Sequence, residues 1–207
     1  MGYFPFYIDI ENKKCIIVGG GRIALHKLKK IIPFNPEITI IAPKICDEIK
    51  NSGVKIEQRK FVDNDIKNAF LVISATDDEK LNEHIFELCK AENILVNTVD
   101  DKEKCGFIFP SIIKKDDITV GITTSGQSPL YAKYLREKIE DLFENINPEI
   151  IDILSKYRPI IKEKINSESS RKKANEKILD LCIISDKLPD DEQIYNIIEE
   201  ISNSYEN

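Results

Sequence analysis

Apolar runs and polar breaks alternate along the first half of the chain in a strand–helix rhythm. Cys15-Ile16-Ile17-Val18 is an unbroken apolar run. The stretch from Ile23 to Ile32 then carries apolar residues at helical spacing and stops near Pro33. Glu37 to Ala42 is β-branched and ends at Pro43. Lys44 to Asn51 reads as a short helix, Val54 to Glu57 as a short strand, and Asp63 opens a helical turn. Phe70 to Ala75 is mostly apolar, as expected of a central parallel strand buried on both faces. Thr76-Asp77-Asp78 caps a helix running from Glu79 to Glu92, and Ile94 to Asn97 is the next strand. This alternation predicts an α/β fold, a Rossmann-type doubly wound parallel sheet. Tyr3 to Ile10 reads as an extended edge segment.

The rhythm changes after Asp101. Phe107 to Ser111 and Ile118 to Thr123 read as two strands joined by a polar turn over Lys114 to Asp117. Ser128-Pro129 then starts a helix that runs to Phe143. This block is too small for a core of its own, so it predicts pairing with a second subunit. Beyond Pro148 the pattern is almost wholly helical. Its apolar faces are Ile150, Ile151, Ile153 and Leu154, then Ile178, Leu179, Leu181, Cys182, Ile183 and Ile184. The expected organisation is a nucleotide domain over 1–112, a dimerisation segment over 113–146 and a helical domain over 147–207.

The turn between the first strand and helix is Gly19-Gly20-Gly21-Arg22-Ile23-Ala24. Gly19, Gly21 and Ala24 fall at the G-x-G-x-x-G/A spacing of a dinucleotide site. Three of the chain's eight glycines lie in this one turn. At that spacing the first glycine lets the strand turn sharply. The second lets a pyrophosphate approach the backbone, and the helix N-terminus offers N–H groups to it. The same spacing also suits an ordinary strand–helix turn. Right-handed crossovers place the loops after the strands along one sheet edge, where ligands of such sheets bind. The glycine turn, Pro43-Lys44, Thr76-Asp77-Asp78 and Thr98-Val99-Asp100 are expected to line one crevice. Candidate cofactor-binding residues are Gly19, Gly20, Gly21, Arg22, Ile23, Pro43, Lys44, Thr76 and Asp77.

Composition narrows the setting. The 207 residues suffice for one sizeable core and a smaller domain, and no apolar run reaches the roughly 18 residues that span a bilayer. The N-terminus lacks a basic stretch and a small-residue cleavage site, so no secretory signal is read. Five widely spaced cysteines, with no C-x-x-C pair, suit a reducing cytoplasm. A net charge of −6 argues against a nucleic-acid partner. His26 and His84 are the only histidines and form no ligand-spaced pair, so no resident metal is expected.

Six blocks carry a resemblance. They are Val18-Gly19-Gly20-Gly21-Arg22-Ile23-Ala24, Ile41-Ala42-Pro43, Ala75-Thr76-Asp77-Asp78, Asn97-Thr98-Val99-Asp100, Phe107 to Ile113, and Ser125-Gly126-Gln127-Ser128-Pro129. In this order and spacing, from Phe4 to about Leu142, the chain resembles the precorrin-2 dehydrogenase family, the dehydrogenase–ferrochelatase part of siroheme synthase, in its stand-alone form. The resemblance implies NAD-dependent oxidation of precorrin-2 to sirohydrochlorin. It also implies Fe2+ as a substrate in those members that insert iron, and an intertwined homodimer. The family's important aspartate falls on Asp100, as general base or proton acceptor. Departures are Asn35-Pro36 in place of a Gly-small pair, Gly106 where Asn or Ser is usual, and His26 in place of a frequent arginine.

Two consequences follow from that resemblance. The substrate carries many carboxylates while the chain is acidic, so a local cluster must bind it. Lys102, Lys104, Lys133 and Arg136 are its candidate cations, and Ser125, Gln127 and Ser128 with the helix N-terminus are further candidates. The end of the second strand, Ala42-Pro43-Lys44, has no acid for the ribose hydroxyls; the nearest, Asp47, lies in the following helix. Lys44 suits a 2′-phosphate, whereas the family's Ala-Pro ending goes with NAD, held through the backbone of Pro43 and Lys44. Competing readings are a non-catalytic NAD-sensing module and a chelatase that uses the nucleotide fold only as a scaffold.

Overall fold

The computed structural model describes residues 3–99, 105–143, 146–185 and 187–204. Contacts divide it into two compact units, residues 1–112 with 121–132, and residues 113–120 with 133–207.

The first unit is built on five parallel strands. They are β1 (Lys14–Val18), β2 (Glu37–Ile41), β3 (Lys55–Glu57), β4 (Leu71–Ser74) and β5 (Leu95–Thr98). Their order is β3-β2-β1-β4-β5, so the chain reverses direction across the sheet between β1 and β4. Val18 pairs with Ile41 on one side and Ser74 on the other, which puts three strand ends level at one edge. Successive residues of β1 serve opposite faces. Cys15 and Ile17 pack with Ala24, Leu28 and Ile31 of α1 (Arg22–Ile31). Ile16 and Val18 pack with Ile85 and Cys89 of α3 (Glu79–Ala91). Burial on both faces is why β1 and β4 read as continuous apolar runs.

Four expectations need correction. The helix expected over 44–51 is a single turn, α2 (Asp47–Lys50), because Ile45 and Ile49 are drawn into the core from an otherwise polar stretch. Tyr3 to Ile10 forms no strand, and Phe4, Phe6 and Tyr7 stand exposed. The strand expected at Phe107 is displaced: the hairpin consists of β6 (Ser111–Lys115) and β7 (Ile118–Ile122). Pro110 has no N–H for a ladder. Phe107 and Phe109 instead stack edge to face at 5.1 Å and pack on the core beside α1. The fourth correction lies in the second unit.

That unit contains α5 (Glu149–Lys164), α6 (Glu168–Ile184) and α7 (Asp191–Ser204). Its core joins Tyr157 and Ile161, then Ala174, Ile178 and Cys182, then Ile194, Ile198 and Ile201. The i, i+4, i+8 spacing selects one face of α6. Ile183 and Ile184 fall off that face and are 64% and 81% exposed. The helix α4 (Pro129–Phe143) starts at Ser128, whose Oγ accepts from the N–H of Tyr131 at 3.2 Å. All five cysteines are free thiols. Among the described residues no helix is long and apolar enough to cross a membrane.

Candidate functional site

The glycine turn is shaped by its neighbours at the sheet edge. Gly19 has φ +126°, and a Cβ there would lie 2.2 Å from the carbonyl oxygen of Ala75. A Cβ on Gly20 would lie 2.1 Å from the carbonyl oxygen of Lys44. Neither position has room for a side chain. The turn is tied down by Gly19 N–H donating to Ile41 at 3.0 Å and Cys46 N–H donating to the carbonyl of Gly20 at 2.9 Å. Gly21 differs: a Cβ would meet nothing within 4 Å. It is the N-cap of α1, with extended backbone and no side-chain cap. The first turn of α1 has no acidic residue either. Its N–H groups and partial positive charge are therefore left for an anion outside the chain. A helix start without its own cap, above open space at Gly21, fits the pyrophosphate of a dinucleotide.

Opposite the turn, the loop after β4 is held by Asn82 of α3. Its Oδ1 accepts from Ser74 Oγ at 2.7 Å and Thr76 Oγ1 at 2.6 Å, and its Nδ2 donates to the carbonyl of Thr76 at 3.0 Å. Asp78 caps α3 by accepting from the N–H groups of Lys80 and Leu81. Thr76 N lies 3.4 Å from the position a Cβ would take on Gly19. The structure thus brings Gly19, Gly20, Lys44 and Thr76 into one cradle.

The end of β5 is held by several hydrogen bonds. Asn97 is 4% exposed. Its Oδ1 accepts from Lys27 Nζ at 2.9 Å, and its Nδ2 donates to the carbonyl of Phe107 at 3.1 Å and to Cys105 Sγ at 3.3 Å. Cys105 donates to the carbonyl of Thr98 at 3.1 Å. The hydroxyl of Thr98 is buried and has no hydrogen-bond partner among the described residues. Lys27 also lies 4.4 Å over the ring of Phe109. Beside it, Lys30 donates to the carbonyl of Pro110 at 3.0 Å, and burial lowers its pKa. Burial, and after it the charges of Lys30, Lys27 and Lys29, lower the pKa of His26. The sequence named Asn97 within a motif but gave it no task, and Lys27, Asn82 and Cys105 went unmarked. A polar residue closing an otherwise apolar strand was the available signal.

Several charges at the ends of β2 and β3 are paired. Asp47 bonds Lys50 at 2.8 Å, and Glu57 meets Lys55 at 3.0 Å and Arg59 at 2.5 Å. Lys44 and Pro43 are exposed, and the amide nitrogen of Gln58 donates to the carbonyl of Pro43 at 3.3 Å. Arg22, Ile23 and Asp77 also sit at this edge with exposed side chains.

Most of the substrate candidates follow β7 in the chain. Ser125, Gln127 and Ser128 form a turn, with Ser125 at φ +55° and Gly126 at φ +72°. Gln127 N–H donates to the carbonyl of Thr124, and Ser128 N–H to its hydroxyl. Lys133 and Arg136 belong to the second unit and meet acids of their own helix. Lys133 meets Glu137 at 3.7 Å; Arg136 meets Glu137 at 3.5 Å and bonds Glu140. Asp100, Lys102 and Lys104 lie outside the described residues. Among the described residues no group of three His, Cys, Asp or Glu could hold a metal ion.

The sheet order and the cradle define a dinucleotide-binding domain. Residues 6–111 match the model of the family described as "Putative NAD(P)-binding", and the chain belongs to that family. Siroheme synthases are among its relatives. That of Pseudoalteromonas translucida is 36% identical over 190 residues, covering 89% of this chain and 40% of its own. That of Buchnera aphidicola is 34% identical over 208 residues, covering 98% of this chain and 44% of its own. The chain thus spans about two fifths of the length of these relatives. The solved structure of SirC, precorrin-2 dehydrogenase, superposes with a TM-score of 0.73 at 22% identity, over 97% of this chain and 100% of that one, which shows a shared fold. The resemblance to the precorrin-2 dehydrogenase and siroheme synthase family drawn from the six blocks holds.

Proposed function

We propose that this chain oxidises precorrin-2 to sirohydrochlorin in siroheme biosynthesis, with NAD+ as the oxidant. One observation carries the reading. The uncapped glycine cradle sits within a sequence that follows siroheme synthases over 89–98% of its length. NAD, when bound, supplies the hydride acceptor. The chain supplies the rest. The backbone of Gly19, Gly20, Gly21, Arg22 and Ile23 holds the pyrophosphate, the backbone of Pro43 and Lys44 the adenosine side, and Thr76 and Asp77 the opposite wall. Asp100, which follows β5 in sequence, accepts the proton lost as the ring system is oxidised. Ser125, Gln127, Ser128, Lys133 and Arg136 hold substrate carboxylates.

The same reading makes the protein a cytoplasmic homodimer, paired through the segment 113–146. Fe2+ insertion into sirohydrochlorin is proposed as a second activity, with iron as a substrate coordinated mainly by the tetrapyrrole nitrogens. Anaerobic incubation with precorrin-2 and NAD+ tests the main proposal. NADH and sirohydrochlorin must appear together. Iron insertion without NAD+ and without NADH formation would identify a chelatase only, and NAD+ binding without turnover a sensing module.

A further inference from the structure

The rim of the cradle has an unusual charge balance. A dinucleotide site that selects NAD generally places an Asp or Glu at the end of the second strand. There it bonds the ribose hydroxyls and repels a 2′-phosphate. Here β2 ends in Ala42-Pro43-Lys44. On α2 and β3, Asp47 is engaged by Lys50 and Glu57 by Lys55 and Arg59, while Glu48 is exposed. The hydrogen bond from Lys50 holds the Asp47 carboxyl below its ordinary range, and those from Lys55 and then Arg59 do the same for Glu57. The Lys44 ammonium meets no acid among the described residues within ion-pair distance.

Lys44 is also fixed in place. Its carbonyl oxygen fills the space a side chain on Gly20 would need, and Cys46 two residues on donates to Gly20. Its backbone therefore cannot drift from the pyrophosphate turn, while its side chain is exposed at the rim. Gln58 adds a neutral amide beside it, bonded to Pro43. The end of β2 thus offers the exposed Lys44 ammonium and the Gln58 amide, with no carboxylate in Ala42-Pro43-Lys44 itself.

We infer that this rim admits a 2′-phosphate as well as a free ribose hydroxyl, and that the Lys44 ammonium is the residue that reads the 2′ position. The inference rests on the cofactor reading above and sharpens it. NAD+ is accepted through backbone contacts; NADP+ is accepted because the end of β2 carries no acid to repel its extra phosphate and Lys44 pairs with it.

The test is equilibrium binding to the full chain, by calorimetry, of NAD+, NADP+ and adenosine 2′,5′-bisphosphate at two salt concentrations. NADP+ should bind within about tenfold of NAD+, and its Kd should rise more steeply with salt. Lys44→Ala should raise the ratio of the NADP+ Kd to the NAD+ Kd by about fivefold, the scale of one exposed ion pair. Lys44→Glu should raise it further, and Lys44→Arg should restore it. Wild-type NADP+ binding more than a hundredfold weaker than NAD+, or a ratio unmoved by Lys44→Glu, overturns the inference while leaving the cofactor reading intact. Failure of all three nucleotides to bind overturns both.

Discussion

Lys27 Nζ on α1 donates to Asn97 Oδ1 at the end of β5 over 2.9 Å, joining residues 70 apart in sequence. The helix that begins at the glycine turn is thereby pinned to the strand that precedes Asp100. Asn97 also holds Cys105 and Phe107, so one buried amide fixes three segments. Asn97→Ala removes all three bonds from a buried site. It should destabilise the chain by about 1–3 kcal/mol, read from the urea midpoint. An unchanged midpoint would remove Asn97 from this role.

The three glycines should behave differently. Gly19→Ala and Gly20→Ala drive a methyl group into the carbonyls of Ala75 and Lys44, and Gly19 adds the strain of its positive φ. Each should cost about 3 kcal/mol. Gly21→Ala places its methyl group in open space and should cost about 1 kcal/mol or less as a cap change. Its nucleotide affinity should nonetheless fall at least about tenfold, because that space is the proposed pyrophosphate seat. Thermal melts with and without NAD+ separate the two effects.

How far the sequence reveals this arrangement depends on the range of each interaction. The strands β1, β2, β4 and β5 and the helices α1 and α3 were legible because their apolar periods are local and strong. The glycine turn was legible as a turn. Its division of labour was not, since the carbonyls that crowd Gly19 and Gly20 arrive from Ala75 and Lys44 through the fold. The Lys27–Asn97 bond was hidden for the same reason. The start of β6 was misread because Phe107 and Phe109 have strand-like character but are used as core side chains.

Acid should loosen the segment between β3 and β4 through Asp65. Arg59 forks onto its carboxylate at 2.8 and 2.6 Å, and Val62 N–H adds a bond at 2.8 Å. The Arg59 side chain, outweighing the opposing effect of burial, holds the Asp65 pKa below its ordinary value of 3.8. A carboxyl with a lowered folded pKa stabilises the fold fully above its unfolded pKa and loses that contribution as pH falls through the folded one. Stability should therefore decline below about pH 4. Asp65→Asn should be less stable at neutral pH and show a shallower decline.

Thiol reactivity should follow burial. Burial pushes the Cys15 thiol up to about 11 and the Cys89 thiol up to about 12, and raises that of Cys182. Cys46 and Cys105 are only partly buried. At pH 8 the native protein should expose these two to a thiol reagent first and release all five only on unfolding. Fast labelling of Cys15 or Cys89, located by peptide mapping, would contradict the packing of both sheet faces.

Arg136 gives a test of the substrate cluster. Its ion pairs with Glu137 and Glu140 hold it on its own helix. If it also receives a substrate carboxylate, Arg136→Glu should raise KM by about tenfold or more with little change in kcat. An unchanged KM would remove it from the site.

The central claim is tested most directly by following NADH and sirohydrochlorin together, under anaerobic conditions, with precorrin-2 and NAD+ supplied to the wild type and to Asp100→Ala. The account predicts equimolar NADH and sirohydrochlorin from the wild type and neither from the variant, while both proteins elute as the same dimer. Turnover that survives in Asp100→Ala, or a wild type that forms no NADH, would contradict it.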